Sequence, residues 1–513
     1  MQGPLTVVLQ LLLVAAAVGL IAKRLQIHYN IALVLAGVLV GAFPWLPSAR
    51  LDPEIVINVF LPILLFEAAI STDVRRLREN LVPVLLLAVP GILLCVAVIA
   101  LVARAGLSLP WTLALLLGSI LAATDTIAVI ATVRKVRAPA RLAAILENDS
   151  LLNDGTALVA FSTVLAVIER GRLDHLRVGF ELLWVVGAGL LVGVAVGLLA
   201  SQLARRTEDH LFEIMVTVIL TYGSWLVAGR IGGSSVLAVV AAGITFGTSG
   251  WPGLTPTGRV AIRSAWEVTA FGVNSVVFLL IGMQVYFPSL VAMAPAIGWG
   301  LLALTLGRAA SVYLLLAPLG FGSHRVPFAW QHVLVWGNLK GSLSMALALS
   351  LPEGLPRREL LIAIVFGCAL VTLTAQGLTL APLARALGLG RVGEAERSWH
   401  VQQARLLAAR AGQAELDRLQ HLGLVPLGVF QRLRAAYQGV IARSEKQIRD
   451  LVALDTGEEA RQTQAVRRQL LTVEKEALRR AVNSGMLGEE VSAELVVEID
   501  RTLADLADTR NGG

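Results

Sequence analysis

The sequence predicts an all-α polytopic membrane protein with about thirteen transmembrane helices, followed by a C-terminal soluble helical domain. The 513-residue chain has a mean hydropathy of +0.73 and 15% charged residues, which is typical of membrane proteins rather than soluble ones. Apolar runs of membrane-spanning length recur as far as residue 390. From residue 391 the chain is rich in Glu, Arg, Gln and Ala with i,i+4 charge pairs, which is typical of solvated helices.

The predicted spans have the length that an α-helix needs to cross the hydrocarbon core, about 20 residues. In order they are residues 4–22, 29–47, 54–71, 81–103, 109–133, 141–168, 178–203, 211–229, 234–249, 266–287, 293–318, 329–351 and 359–384. The weakest predictions are 54–71, which contains Pro62 and Glu67, and 234–249, which is short.

Basic residues in the connections indicate the orientation, because cytoplasmic loops of membrane proteins are enriched in Lys and Arg. The odd-numbered connections contain Lys23, Arg24, Arg75, Arg76, Arg78, Arg134, Lys135, Arg137, Arg205, Arg206, Arg259, Arg263 and Arg325. One even-numbered connection, at residues 170–177, is an exception. We expect a multi-pass protein of the plasma (inner) membrane, with the N-terminus outside and the C-terminus cytoplasmic. The net charge of +7 is explained by these loops, so it does not indicate binding to nucleic acid.

The most informative polar residues lie in the sixth span, 141–168. Asp149 and Asn153 are four residues apart, as are Ser150 and Asp154, so helical spacing predicts that all four share one broad face. A carboxylate at mid-bilayer costs about 2.5–3.5 kcal/mol on insertion scales, and such groups usually face a bundle interior or a water-filled cavity. This face is therefore a candidate wall of oxygen ligands.

A second acid, Asp125, lies near the middle of the preceding span, between Thr124 and Thr126. Hard cations bind oxygens of carboxylates, hydroxyls, amides and backbone carbonyls, and protons compete for the same carboxylates. The two acidic spans together predict a monovalent-cation site at which a proton is exchanged for the cation. The alternative is that each Asp is a structural group held by a polar residue on a neighbouring helix.

Three other polar residues are predicted to lie away from the ion. Glu67 is expected near the cytoplasmic end of its span with a structural role. Glu147 and Asn148 are expected to face the cytoplasmic vestibule or a helix contact.

Two basic residues lie inside apolar spans. Arg308 remains charged at membrane depth and needs an acid or several carbonyls, and Asp149 is the best candidate partner; snorkelling to an interface is the alternative. Lys340 lies in residues 337–341, where two Gly and one Asn weaken the helix. A broken helix is tolerated at membrane depth where it lines a cavity. Lys340 is therefore predicted to compensate the carbonyl ends of this break or the partial charges of a second break near residues 124–126, with a simple salt bridge as the alternative.

Six motifs in this order resemble the sodium/proton antiporter (monovalent cation:proton antiporter) family, in the branch of the bacterial NhaP-type exchangers and the animal sodium/proton exchangers. They are residues 60–67, 123–125, 149–155 and 278–282, Arg308 with Tyr313, and residues 337–344. The resemblance covers residues 5–385. It implies an inverted-repeat fold of thirteen helices, in which two unwound helices cross beside the ion site, and a dimerisation domain that makes the protein a homodimer.

The resemblance also implies roles for individual residues. Asp154 would be the ion-binding and proton-exchanging carboxylate, and Asp125, Thr124 and Ser150 would complete the site. Asn153 is included in the ion-binding set. It stands where the electrogenic branch of the family has a second Asp, which favours electroneutral exchange.

Three positions differ from the family pattern. Thr126 replaces a usual Pro, Asp149 replaces a usual Glu, and Lys340 replaces a usual Arg. In the family, an Arg matching Arg308 bridges the acid matching Asp149. The shorter Asp predicts a longer or water-mediated bridge in this chain.

The predicted function is therefore secondary antiport of a monovalent cation, Na⁺ first, against H⁺ for pH and salt homeostasis. The protein is predicted to be a transporter rather than an enzyme and to need no cofactor, and its partners would be Na⁺ (or K⁺ or Li⁺), H⁺ and membrane lipids. The alternatives are K⁺/H⁺ exchange, a membrane ion or pH sensor that signals through its C-terminal domain, and an uncoupled channel. Residues 1–390 are predicted to be the antiporter domain and 391–513 a cytoplasmic helical regulatory domain with an unidentified ligand; the alternative for the latter is a solvated tail.

Overall fold

A computed structural model of the chain describes a set of helices separated by short connections. The described residues are 4–25, 29–42, 53–125, 127–136, 138–170, 175–206, 209–284, 287–321, 325–389, 392–453, 471 and 495. They contain no β-strand. The chain divides into two compact units, residues 1–389 and residues 390–513.

The described residues of the first unit contain twenty α-helices. They are α1 (Pro4–Leu25), α2 (Tyr29–Ala42), α3 (Pro53–Ile55), α4 (Leu61–Ser71), α5 (Val74–Glu79), α6 (Leu81–Leu86), α7 (Ile92–Leu107), α8 (Trp111–Ala122), α9 (Ile127–Lys135), α10 (Ala140–Arg170), α11 (His175–Ala204), α12 (His210–Arg230), α13 (Ser235–Thr245), α14 (Pro256–Met283), α15 (Phe287–Ala292), α16 (Ala294–Leu316), α17 (Phe328–Trp336), α18 (Ser342–Leu349), α19 (Arg358–Val371) and α20 (Gly377–Ala386). Wider π-helical turns join α3 to α4, α6 to α7 and α19 to α20, so each of these pairs is one continuous span.

Nine helices of the described part of the chain are long and apolar enough to cross a membrane. They are Pro53–Ser71, Leu81–Leu107, Ala140–Ile168, Leu183–Ala204, His210–Arg230, Ser235–Gly253, Pro256–Met283, Ala294–Leu319 and Arg358–Ala386. Tyr29–Gly41 and Trp111–Ala122 are shorter apolar helices. The predicted all-α polytopic class is thereby confirmed, and the number of thirteen crossings stays a prediction.

Two of the predicted continuous spans are each two shorter helices. The span 109–133 consists of α8 and α9, separated by non-helical residues that begin at Ala123, whose φ of −59° and ψ of 141° end α8. The span 329–351 consists of α17 and α18, separated by residues 337–341. In both places a mid-membrane backbone leaves its helix, which exposes amide and carbonyl groups that need partners.

Small residues and aromatic contacts bring the surrounding helices together. Gly37 on α2 faces Gly282 on α14 so closely that a Cβ atom on Gly37 would lie 2.8 Å from the Gly282 Cα atom. The fully buried ring of Phe66 on α4 packs against Trp266 on α14, with ring centroids 4.6 Å apart. These contacts fix α4 and α14 beside the broken helices.

The second unit contains a hairpin of two helices, α21 (Val392–His421) and α22 (Leu427–Ala453). Gly423, with a φ of +71°, ends α21 in the left-handed conformation that Gly adopts without steric cost. Arg410 on α21 pairs with Glu445 on α22 at 2.9 Å.

Candidate functional site

The two broken segments meet each other inside the first unit. The backbone N–H of Asp125 donates a hydrogen bond to the backbone oxygen of Leu339 at 2.9 Å. The backbone N–H of Lys340 donates to the Thr372 hydroxyl at 3.2 Å. Backbone groups released by the breaks therefore find partners in each other and in a neighbouring helix, as burial requires.

Lys340 is fully buried at the point where the breaks meet. Its Nζ atom donates hydrogen bonds to the backbone oxygen of Ala123 at 2.7 Å and to Asn338 Oδ1 at 2.8 Å. The Ser344 hydroxyl donates to the same Ala123 oxygen at 3.4 Å. The structure thus places the lysine ammonium group at the carbonyl end of α8, where the helix dipole favours a positive charge.

Side chains of α10 hold the first break from the other side. The Ser150 hydroxyl donates to the backbone oxygen of Thr124 at 2.8 Å, and the Thr124 hydroxyl donates to Ser150 Oγ at 3.4 Å. The amide of Asn153 donates to the Thr124 hydroxyl oxygen at 3.0 Å. Thr124 is therefore fixed by two residues one helical turn apart on α10.

A cavity of about 400 Å³ opens beside these groups. Its polar lining consists of Glu67, Ser71, Thr124, Asp125, Arg134, Glu147, Ser150, Asp154, Asn274, Ser342 and Ser344. The Asp154 Oδ1 atom is buried and has no hydrogen-bond partner among the described residues. Because an unpaired buried acceptor is costly, this oxygen is ready for a proton or a cation.

The other acid on α10 is paired. Arg308 Nη2 donates to Asp149 Oδ2 at 2.5 Å, and the two side chains are 5% and 1% exposed. Arg308 Nε also donates to the backbone oxygen of Leu334 at 3.3 Å, which connects α16 to α17. The contact is direct, so the expectation of a longer or water-mediated bridge, drawn from the shorter Asp, is wrong.

The four polar residues of α10 do not form one wall of ligands. Ser150 and Asp154 line the cavity, whereas Asp149 and Asn153 are buried in contacts with other helices. Adjacent residues differ by about 100° around a helix, so Asp149 faces Arg308 whereas Ser150 contacts Thr124. The predicted face therefore does not bring all four side chains to the cavity.

Several site groups were missed from the sequence. Glu67, predicted to be structural, lines the cavity together with Asp154. Asn274 also lines it, and Thr372 receives the Lys340 N–H. A lone amide within the apolar span of α14 was a signal for Asn274, whereas nothing in the sequence distinguishes Thr372. The predicted departure at Thr126 lies outside the described residues.

Comparisons with known proteins identify relatives of this chain. The model of the transmembrane sodium/hydrogen exchanger family matches residues 11–386. The chain is similar to the Na⁺/H⁺ antiporter NhaS2 of a Synechocystis strain, at 39% identity over 97% of this chain and 93% of that protein. It is also similar to ApNhaP of Aphanothece halophytica (38%, 80% of this chain, 78% of that protein) and NhaG of Bacillus atrophaeus (30%, 96% and 97%), both named Na⁺/H⁺ antiporters.

Among solved structures, the sodium proton antiporter MjNhaP1 of Methanocaldococcus jannaschii has a similar fold. Its TM-score is 0.64 at 19% identity, over 75% of this chain and 99% of that chain. The similarity supports the fold, and the family match spans most of the first unit. The chain therefore belongs to the sodium/hydrogen exchanger family.

Proposed function

We propose that this protein exchanges a monovalent cation, Na⁺ in the first place, for H⁺ across the plasma membrane, and that it serves pH and salt homeostasis. The observation that carries the proposal is the buried, unpartnered Oδ1 atom of Asp154 in a cavity bordered by two broken helices. The names of the relatives, which are Na⁺/H⁺ antiporters, support sodium as the cation.

The proposed chemistry is competition for one carboxylate. When Asp154 binds a cation, the Ser150 hydroxyl oxygen, Asp125 and oxygens of Thr124 complete the coordination. When the cation leaves, a proton takes its place, because a bare carboxylate away from bulk water is unfavourable. Only the cation-loaded and the proton-loaded forms of the site would switch between facing one side of the membrane and facing the other. This restriction couples the cation flux to the proton flux.

The remaining groups of the candidate site are assigned supporting roles. Lys340 stabilises the crossing of the breaks, and Arg308 neutralises Asp149, so neither binds the transported ion. Asn153 orients Thr124 through its amide. We further propose that the protein is a homodimer with the N-terminus outside and the C-terminus cytoplasmic.

The test is proton flux in proteoliposomes, measured with a pH-sensitive dye after addition of Na⁺, Li⁺ or K⁺. We expect the Asp154→Asn variant to fold and to lose cation-dependent proton flux. Asp417→Asn, the same chemical change in the second unit, is the matched control and should retain it. Near-normal flux in Asp154→Asn would refute the assignment.

The same measurement separates the competing functions. A larger flux with K⁺ than with Na⁺ would make the protein a K⁺/H⁺ exchanger. A membrane sensor would give no cation-dependent flux. A channel would dissipate a proton gradient without driving cation uptake.

A further inference from the structure

The cavity that contains Asp154 has a neighbour. A second cavity of about 370 Å³ is lined by Thr72, Asp73, Arg76 and Asn148, among others. We call the first the inner chamber and the second the outer chamber. Ser71, Arg134 and Glu147 line both chambers, so these three residues form the wall that the chambers share.

An ion pair lies in this shared wall. Arg134 Nη2 on α9 is 3.3 Å from Glu147 Oε2 on α10, and the two side chains are 66% and 26% exposed. Glu147 precedes Asp154 by about two helical turns, roughly 10 Å along the axis of α10. An exposed Arg in a pair of this kind is held weakly and can move away from its partner.

Next to this pair, a buried oxygen lacks a partner. Asn148 is 4% exposed, and its amide nitrogen donates to the backbone oxygen of Ala144 at 2.7 Å. Its Oδ1 atom has no hydrogen-bond partner in the part of the chain that the structure describes. An amide oxygen in this position is a ligand that a hard cation accepts, and leaving it unpaired is costly.

We propose that Glu147 and Asn148 form a second, outer site for the monovalent cation, and that the Arg134 guanidinium competes with the cation for the Glu147 carboxylate. An arriving cation takes the Glu147 carboxylate from Arg134 and gains the Asn148 oxygen before it continues to Asp154. The other charged pair of the outer chamber, Asp73 with Arg76 at 3.1 Å, keeps its own partner. This inference rests on the proposed function, because it concerns the path of the same ion.

If Arg134 competes with the cation, replacing Glu147 and replacing Arg134 should have opposite effects. In proteoliposomes, Glu147→Gln should raise the half-saturating Na⁺ concentration about threefold, and Arg134→Gln should lower it by a similar factor. In the double variant, the loss of Arg134 should have no further effect, since it acts only by occupying Glu147. Arg75→Gln, which removes the same charge from an exposed residue that lines neither chamber, is the control and should change the value little.

Two results would overturn the competition. One is a shift in the same direction for Glu147→Gln and Arg134→Gln. The other is an effect of Arg134→Gln that persists in the Glu147→Gln background, because this would indicate a general field effect. Asn148→Ala leaves the ion pair intact and should also raise the half-saturating concentration; an unchanged value would exclude Asn148 as a ligand.

Binding can be tested without transport. In the Asp154→Asn background, replacing N-methylglucamine chloride by NaCl at constant ionic strength should still raise the Tm of the purified protein. The rise should vanish when Glu147→Gln is added. No rise in the first variant, or an equal rise in both, would refute the outer site. If Asp154→Asn shows this rise and Glu147→Gln removes it, but the wild-type protein gives no cation-dependent proton flux, the proposed function alone is refuted.

Discussion

At the residue scale, two carboxylates on the same helix have different surroundings. Asp149 is 1% exposed and faces the guanidinium of Arg308, whereas Asp154 presents an unpaired oxygen to the inner chamber. Breaking a buried ion pair leaves an uncompensated charge, so Asp149 is suited to a constant structural role. Asp154 is the carboxylate that is suited to change its ligand.

Replacing Arg308 tests the constant role of the pair. Removing one partner of a buried ion pair leaves an uncompensated charge, so Arg308→Ala should lower the free energy of unfolding by about 3–5 kcal/mol. Thermal unfolding in detergent measures the loss. Arg230→Ala, at the exposed end of α12, is the matched control and should have little effect.

The double variant separates pairing from packing. Adding Asp149→Asn to Arg308→Ala should recover part of the lost stability, because the uncompensated charge is then absent. Recovery should be incomplete, since the hydrogen bond from Arg308 Nε to the Leu334 oxygen is still lost. Losses that simply add would show that the two residues act independently.

At the element scale, the breaks in two helices were only partly predictable. The Gly and Asn residues around Lys340 weaken a helix and indicated the second break. A break near residues 124–126 was also expected, and α8 ends at Ala122, just before them. The hydrogen bond between Asp125 N–H and the Leu339 oxygen joins residues more than 200 positions apart, and no local pattern encodes such a contact.

The packing of the crossing can be tested at Gly341. A Cβ atom at this position would overlap the Asp125 side chain. Gly341→Ala should therefore destabilise the crossing by about 1–3 kcal/mol and reduce cation-dependent proton flux. Gly354→Ala adds the same atom where nothing lies within 4 Å, and it should leave both flux and Tm nearly unchanged. Equal flux in the two variants would argue against a tight crossing.

At the scale of the whole molecule, composition was the most reliable guide. Thirteen apolar runs were predicted, and each overlaps a helix or a pair of helices of the first unit, because burial in a bilayer demands long apolar segments. Contacts between helices were harder to predict from the sequence. Glu67 lines the inner chamber because α4 packs on α14 through Phe66 and Trp266, a contact between distant parts of the sequence.

The division into two units leads to a prediction about the second one. All residues that line the two chambers belong to the first unit. A chain that ends at Gly390 should therefore still exchange cations for protons, with a changed rate or pH profile if residues 391–513 are regulatory. Flux assays on the shortened and full chains in matched proteoliposomes measure this. Complete loss of flux in a shortened chain with an unchanged Tm would make the second unit part of the transport machinery.

The last prediction concerns the charge that crosses the membrane in one cycle. Asn153 is neutral in both the cation-loaded and the proton-loaded form of the site. Its amide nitrogen donates to the Thr124 hydroxyl oxygen, and it is not among the residues that line the inner chamber. If Asp154 alone exchanges one proton for one monovalent cation, both loaded forms have equal charge. Lys340 donates hydrogen bonds to Ala123 and Asn338 and is not among the residues that line the inner chamber.

Electroneutral exchange is insensitive to voltage, whereas moving one net charge through 100 mV changes the free energy by about 2.3 kcal/mol. We therefore expect the rate of Na⁺-driven proton flux to be the same at zero potential and at a potential imposed with potassium and valinomycin. Because residual proton leak also responds to voltage, Asp154→Asn proteoliposomes provide the baseline to subtract. A rate that clearly rises or falls with the imposed potential would mean that a second group, with Asp125 the first to test, changes its charge during the cycle.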